Sequence, residues 1–156
     1  MGDRWQIRPA RPADAGRLVP LERLCFSDPW SAAAFEEMLR FPLTVALVAE
    51  RAGEVVGYLI GRAVAGEGEI LNLAVSPEER RNGLGSRILE AGLRALGKAG
   101  ATRVWLEVRE SNSAAQGLYL KRGFAAAGRR ARYYRSPVED ALVFQLDLPS
   151  LRESGT

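Results

Sequence analysis

The chain contains no histidine and a single cysteine, Cys25. Structural and catalytic zinc sites draw mainly on those two residue types, so a metal centre of that kind has no ligand set here. Without an imidazole there is no Ser-His or Cys-His couple to activate a nucleophile, which removes most hydrolase mechanisms. One cysteine cannot close an internal disulfide, and that fits a reducing compartment. Lysine is scarce too: Lys98 and Lys121 stand alone, and arginine supplies the rest of the 22 basic residues. Neither lysine is followed by Ser or Thr, as a Walker phosphate loop would require. The longest apolar run, LTVALVA at 43–49, is far short of a membrane span. The opening MGDRWQIRPARPAD carries no signal-peptide apolar stretch, so a cytoplasmic protein without a membrane partner is expected. The formal net charge of +3 is too small to argue that nucleic acid is a required partner.

The remaining composition, 47% hydrophobic and 26% charged over 156 residues, is that of one globular domain. A chain of this length can bury roughly 70% of its unfolded surface. The domain is expected over 1–149, with a loose tail over 150–156 ending in RESGT. WQIRPA (5–10) reads as a first strand. Leu18, Leu21, Leu24 and Cys25 recur at helical spacing over 13–25, with Pro20 expected to interrupt that helix. Ser31 is a candidate N-cap for a short helix to about Arg40. TVALVAER and VVGYLIGRAV, joined by Ala52-Gly53, form a hairpin pattern, and GEILNLAVSP (68–77) reads as a central strand. A helix is expected from about Leu84 to Ala99, with Ile88, Leu89, Leu93 and Leu96 inward. TRVWLEVRE (102–110) is a strand, Ser111-Asn112-Ser113 caps a helix to Arg122, and Gly123 stops it. Return strands run from Phe124 towards Tyr134 and over 140–148. The sum is an α/β (α+β) domain with about seven strands and four helices.

The glycine-rich turn RRNGLG lies between a strand and a helix start. A Rossmann fingerprint needs G-x-G-x-x-G in the first βα turn, whereas Gly83 and Gly85 give only G-x-G after four β segments. What stands is R-x-x-G-x-G from Arg80 to Gly85. Glycines let backbone N–H groups converge on one anion, and the helix start adds free donors and a positive dipole end. On the loop alone, an ordinary strand–helix turn explains it equally well.

The loop is followed by LEVRESNSAAQGLYLKRGF. Together, ILNLAVSPEERRNGLGSRIL and that run resemble the GCN5-related N-acetyltransferase (GNAT) superfamily. CFSDPWS, LEVRESN and YYRSPVEDALVF extend the resemblance to its RimI-type ribosomal-protein alanine N-acetyltransferases, over positions 25 to 144. The resemblance implies acetyl-CoA as cosubstrate, no metal, and a protein N-terminus as acceptor, in that family an alanine of a small-subunit ribosomal protein. It implies that backbone groups of Leu73, Ala74 and Val75 pair with the pantetheine arm. Arg80, Arg81, Asn82, Gly83, Leu84, Gly85 and Ser86 would surround the pyrophosphate, and Asn112 would bond the cofactor near its pantetheine. Glu107 corresponds to the general base and Tyr119 to the general acid, the latter also beside the cofactor. Phe26, Pro29, Trp30, Tyr133 and Tyr134 match walls of the acceptor groove, with Glu139 and Asp140 as acidic partners for a basic acceptor.

The chemistry suits these residue types. An α-amino group with a pKa near 8 is about a tenth neutral at pH 7, whereas a lysine amine near 10.4 is far less available. A carboxylate is therefore a sufficient base for an N-terminal acceptor. Strand alternation puts Trp105, Glu107 and Arg109 on one face, so Glu107 either faces a cleft or pairs with Arg109 at the surface. Tyr119 is either an acid for the departing thiolate or a core residue. Cys25, with no imidazole to activate it, reads as core, and transfer without an acyl-enzyme is expected. Arg129, Arg130, Arg132 and Arg135 are a solvated strand face or a binding patch. Lysine or small-amine acceptors, and a non-catalytic acetyl-CoA-binding module, are the alternatives.

Overall fold

The computed structural model describes residues 5–149, and the tail expected over 150–156 lies outside the described residues. Among the described residues, seven strands form one sheet in the order β1-β2-β3-β4-β5-β7-β6. They are β1 (Gln6–Pro9), β2 (Thr44–Arg51), β3 (Glu54–Val64), β4 (Glu67–Val75), β5 (Arg103–Arg109), β6 (Ala125–Tyr134) and β7 (Glu139–Asp147). β4 and β5 are parallel neighbours, while the other neighbours are antiparallel. Helices α1 (Ala15–Cys25) and α2 (Ala32–Arg40) cover one face. Helices α3 (Leu84–Lys98) and α4 (Ser113–Arg122) cover the other.

Local chemistry explains most boundaries. Both residues of the Ala52-Gly53 turn have positive φ (53° and 83°), as a tight hairpin turn requires. A second such turn at Ala65-Gly66 (51° and 84°) joins β3 to β4. The Ser31 side chain accepts from the Ala34 amide at 3.1 Å, a cap worth about 1 kcal/mol. α3 is held chiefly by its buried stripe of Leu84, Ile88, Leu89, Leu93 and Leu96, each worth about 1.5–3 kcal/mol on burial. One expectation fails: α1 runs through Pro20 without a break. Pro20 and Gly16, whose carbonyl lies four residues back, are both exposed, so water satisfies the orphaned acceptor.

The feature that positions the site is a split in the sheet. β4 and β5 pair only over Glu67–Ile70 and Arg103–Leu106. Beyond that point β4 stays paired with β3, and β5 with β7, but not with each other. The split begins at a bulge. Ile60 opposes Asn72 and Gly61 opposes Ile70, so Leu71 is an extra residue on β4. A bulge bends its strand and raises the local twist. It also sends consecutive side chains to one side: Leu71 packs in the α1–α2 core and Asn72 bonds a carboxylate from α1. Gly61 makes room for it, since a Cβ there would lie 2.7 Å from the Glu69 carbonyl oxygen. The obstacle is backbone, which cannot rotate away. Gly61→Ala is therefore expected to destabilise the fold by about 1–3 kcal/mol, read as a lowered urea midpoint.

Candidate active site

The split opens between the ends of β4 and β5. On one side β4 offers residues 71–75, bound to β3 along one edge and without a strand along the other. Leu73, Ala74 and Val75 thus leave backbone polar groups for another partner, which suits an extended amide-bearing chain such as pantetheine. Ser76 closes β4 by donating to the Val56 carbonyl at 2.8 Å, and a single turn over Pro77–Glu79 leads into the glycine loop.

That loop is built around left-handed backbone. Arg81 (φ 70°) and Gly83 (φ 88°) both occupy the region, and Gly83 is the residue that hands over to α3. Ser31 and Asn112 cap α2 and α4 with side-chain oxygens, but no side chain caps α3. Its first amides and the positive end of its dipole therefore face outward, the arrangement that holds an anion. Arg81, Asn82 and Ser86 are exposed there, while the Leu84 side chain is fully buried, so Leu84 offers only its amide. A Cβ on Gly85 would make ordinary contacts of 3.6 Å and 3.7 Å with Leu118 and Val75, so internal packing does not demand glycine at this point. The residues fit a phosphate-bearing ligand.

Glu79 anchors the loop from behind. Its carboxylate is 4% exposed, accepts from the Trp5 indole N–H, and pairs with Arg51 at 2.7 Å. Arg80 points the other way, donating to Cys25 Sγ at 3.5 Å. Burial pushes the Cys25 thiol pKa up, the opposite of what a nucleophile needs.

Across the opening, Trp105, Glu107 and Arg109 share the face of β5 opposite the buried Val104, Leu106 and Val108. Glu107 accepts from the Tyr133 hydroxyl at 3.0 Å and pairs with Arg130 of β6. Its partner is thus Arg130 rather than Arg109. The Tyr119 ring is buried against Phe124 (5.5 Å between centroids) and Phe144 (6.4 Å). Its hydroxyl makes no hydrogen bond among the described residues, and no buried side-chain oxygen is left unpartnered, so the hydroxyl reaches solvent. Burial, and then Tyr134, hold the Tyr119 pKa above that of an ordinary phenol. Tyr134 is likewise raised, by burial and then by Glu107, and so lies within electrostatic reach of both. Tyr133 and Tyr134 pack edge to face at 5.0 Å.

Asn112 caps α4 by accepting from the Ala115 amide at 3.1 Å, so its carboxamide oxygen is occupied and its NH2 remains. Phe26, Pro29 and Trp30 lie on the α1–α2 connection, with Phe26 and Trp30 packed on the core and the Trp30 ring 5.2 Å from Phe35. Glu139 and Asp140 do not present free carboxylates. Glu139 receives Arg109 at 3.2 Å and the Ser111 amide at 2.5 Å. Asp140 receives Arg129 at 2.8 Å and the Arg132 amide at 2.9 Å.

The sequence reading missed three groups: Glu79, Arg109 as a junction, and Glu22. Glu22 is 1% exposed and accepts from Tyr58 Oη, from Asn72 Nδ2 at 2.8 Å and from the Trp30 amide at 3.0 Å. Its signal was available, because Glu22 sits four residues after Leu18 on the apolar face of α1.

The β4–β5 split, the uncapped helix start that follows β4 and the Glu107 carboxylate just past the split suit the class of acetyl-CoA-dependent N-acetyltransferases. Residues 16–124 match the acetyltransferase (GNAT) family, and the chain belongs to that family. It is 36% identical to the [ribosomal protein bS18]-alanine N-acetyltransferase of Escherichia coli strain K12, covering 82% of this chain and 87% of that one. It is 38% identical to the N-alpha-acetyltransferase RimI of Mycobacterium tuberculosis, covering 86% and 87%. The crystal structure of the ribosomal-protein-S18-alanine N-acetyltransferase from Escherichia coli superposes with a TM-score of 0.86 at 31% identity, covering 94% and 95%.

The anchor on the glycine loop gives a direct test. Glu79→Gln keeps the side-chain shape but removes the charge that receives Trp5 and Arg51. Amide hydrogen exchange over 80–86 is expected to rise about tenfold, equivalent to roughly 1.4 kcal/mol, while β7 keeps its protection.

Proposed function

We propose that this enzyme transfers the acetyl group of acetyl-CoA to the N-terminal α-amino group of a protein, by direct transfer. Its acceptor is the N-terminal alanine of a small-subunit ribosomal protein. The observation that carries this reading is the β4–β5 split itself, with Glu107 just past the last paired residue of β5 and the uncapped, glycine-led start of α3 following β4. The activities of the Escherichia coli and Mycobacterium tuberculosis relatives support the acceptor class.

In this reading the amides of Arg81, Gly83, Leu84, Gly85 and Ser86 receive the pyrophosphate, with Arg80 and Asn82 beside it. The backbone of Leu73, Ala74 and Val75 takes the pantetheine amides, and the Asn112 carboxamide meets the same arm. Glu107 accepts the proton of the incoming ammonium, directly or through water. Arg130 and Tyr133 set the orientation of its carboxylate, and the amine must share it with them. As the C–N bond forms and the C–S bond breaks, Tyr119 gives its proton to the departing thiolate, and the second proton the amine loses on becoming an amide returns through water to the phenol. Its raised pKa keeps the phenol protonated and able to hydrogen-bond the departing sulfur. Phe26, Pro29 and Trp30 on one side and Tyr133 and Tyr134 on the other hold the acceptor chain.

Mass spectrometry on a library of peptides with free and blocked N-termini is the test. Acetylation of free N-termini, alanine among them, is expected; acetylation confined to lysines of blocked peptides overturns the acceptor assignment. Tyr119→Phe should lower kcat about a hundredfold and leave the acetyl-CoA dissociation constant within about twofold. A parallel loss of cofactor affinity would make Tyr119 a packing residue instead.

A further inference from the structure

Arg109 lies outside the proposed chemistry yet is the most heavily bonded side chain near the opening. Its Nη1 donates to the Pro137 carbonyl at 3.0 Å and to Glu139 at 3.2 Å. Its Nη2 donates to the Arg135 carbonyl at 2.6 Å and to Ser27 Oγ at 3.3 Å. The guanidinium also stacks on Tyr134, 4.5 Å from the ring centroid. The two gripped carbonyls flank Ser136, whose φ of 54° is left-handed and strained for a residue with a Cβ. One planar fork therefore fixes a strained turn, a ring of the tyrosine pair, and the α1–α2 connection that Ser27 belongs to.

Resting on the acceptor groove proposed above, we infer that Arg109 is a positioning residue that sets the width of this groove. The segment around Ser27 precedes Pro29 and Trp30, and the 135–138 turn follows Tyr133 and Tyr134. Arg109 is 82 residues from Ser27 in one wall and 26 from Arg135 in the other, and it touches both. A guanidinium can serve both at once because its donors are arranged in a rigid fork. A lysine ammonium is a point charge and cannot reproduce that geometry.

Arg109→Lys and Ser27→Ala test this, each against whichever peptide the wild type acetylates. Arg109→Lys is expected to raise the peptide KM about tenfold, with kcat and the acetyl-CoA dissociation constant within about twofold. Amide exchange should quicken over 26–31 and 133–139 and stay constant over 80–86. Ser27→Ala should raise the peptide KM about threefold and add nothing to Arg109→Lys, since both remove one junction. Unchanged peptide KM and unchanged exchange overturn the inference, as does a cofactor affinity that falls in step. If the wild type acetylates only lysine peptides, the N-terminal assignment fails, and the Arg109 result on those peptides still decides the positioning role.

Discussion

Backbone N–H and C=O groups inside a sheet need partners, so opening one in its middle is costly unless each side remains bound elsewhere. Here the β4–β5 pair is released after Ile70 and Leu106, while β3 keeps β4 and β7 keeps β5. The bulge at Leu71 and the missing side chain at Gly61 make that release compatible with a continuous β3–β4 ladder. The residues of the proposed site are reached from the two strands that part at this break. β4 leads to the uncapped start of α3, and β5 carries Glu107 and leads to the helix that holds Tyr119.

Two buried carboxylates hold the walls of the opening in register. Burying a carboxylate without partners costs several kcal/mol, and each of these has several donors. Glu22 joins α1 to Tyr58 of β3, to Asn72 just past the bulge, and to the amide of Trp30. The phenol of Tyr58 is pushed well above its ordinary pKa, by burial first and by Glu22 second, so it remains a donor. Glu79 does the corresponding work for the glycine loop through Trp5 and Arg51. With Arg109 at the proposed acceptor side, the segments lining the split are tied to elements remote in sequence.

The arginines of β6 are neither a bare solvated face nor an open anionic-ligand patch. Arg129 bridges Glu110 and Asp140, and Arg130 meets Glu107 and lies 6.0 Å from the Trp105 ring centroid. Much of the positive charge on this edge strand is matched within the chain. Arg129 thereby occupies Asp140 and Arg109 occupies Glu139, while Glu107, paired with Arg130 and Tyr133, is the carboxylate just past the β4–β5 split.

Local order was legible without coordinates. The alternation in TRVWLEVRE placed Glu107 opposite the core, Ser31 and Asn112 marked two helix starts, and Gly123, with φ 109°, stopped a helix where expected. The proposed cofactor loop was suggested by its glycines and the SNSAAQGLYLKRGF run after it. These signals are short-range, because helical and strand periods and capping are set by backbone geometry within a few residues. Partner identity is not. That Glu107 meets Arg130 rather than Arg109, that Glu22 is buried, that Pro20 sits harmlessly on the wet side of α1, and that β4 parts from β5 at Leu71 all depend on contacts between distant segments. Residue patterns within a few positions set the strands, helices and caps, and the glycines left a phosphate cradle and a plain turn equally open until the following run was read. Only the packing of those elements decided which charges pair and where the sheet opens, because each choice is a competition among partners that the linear chain does not bring together.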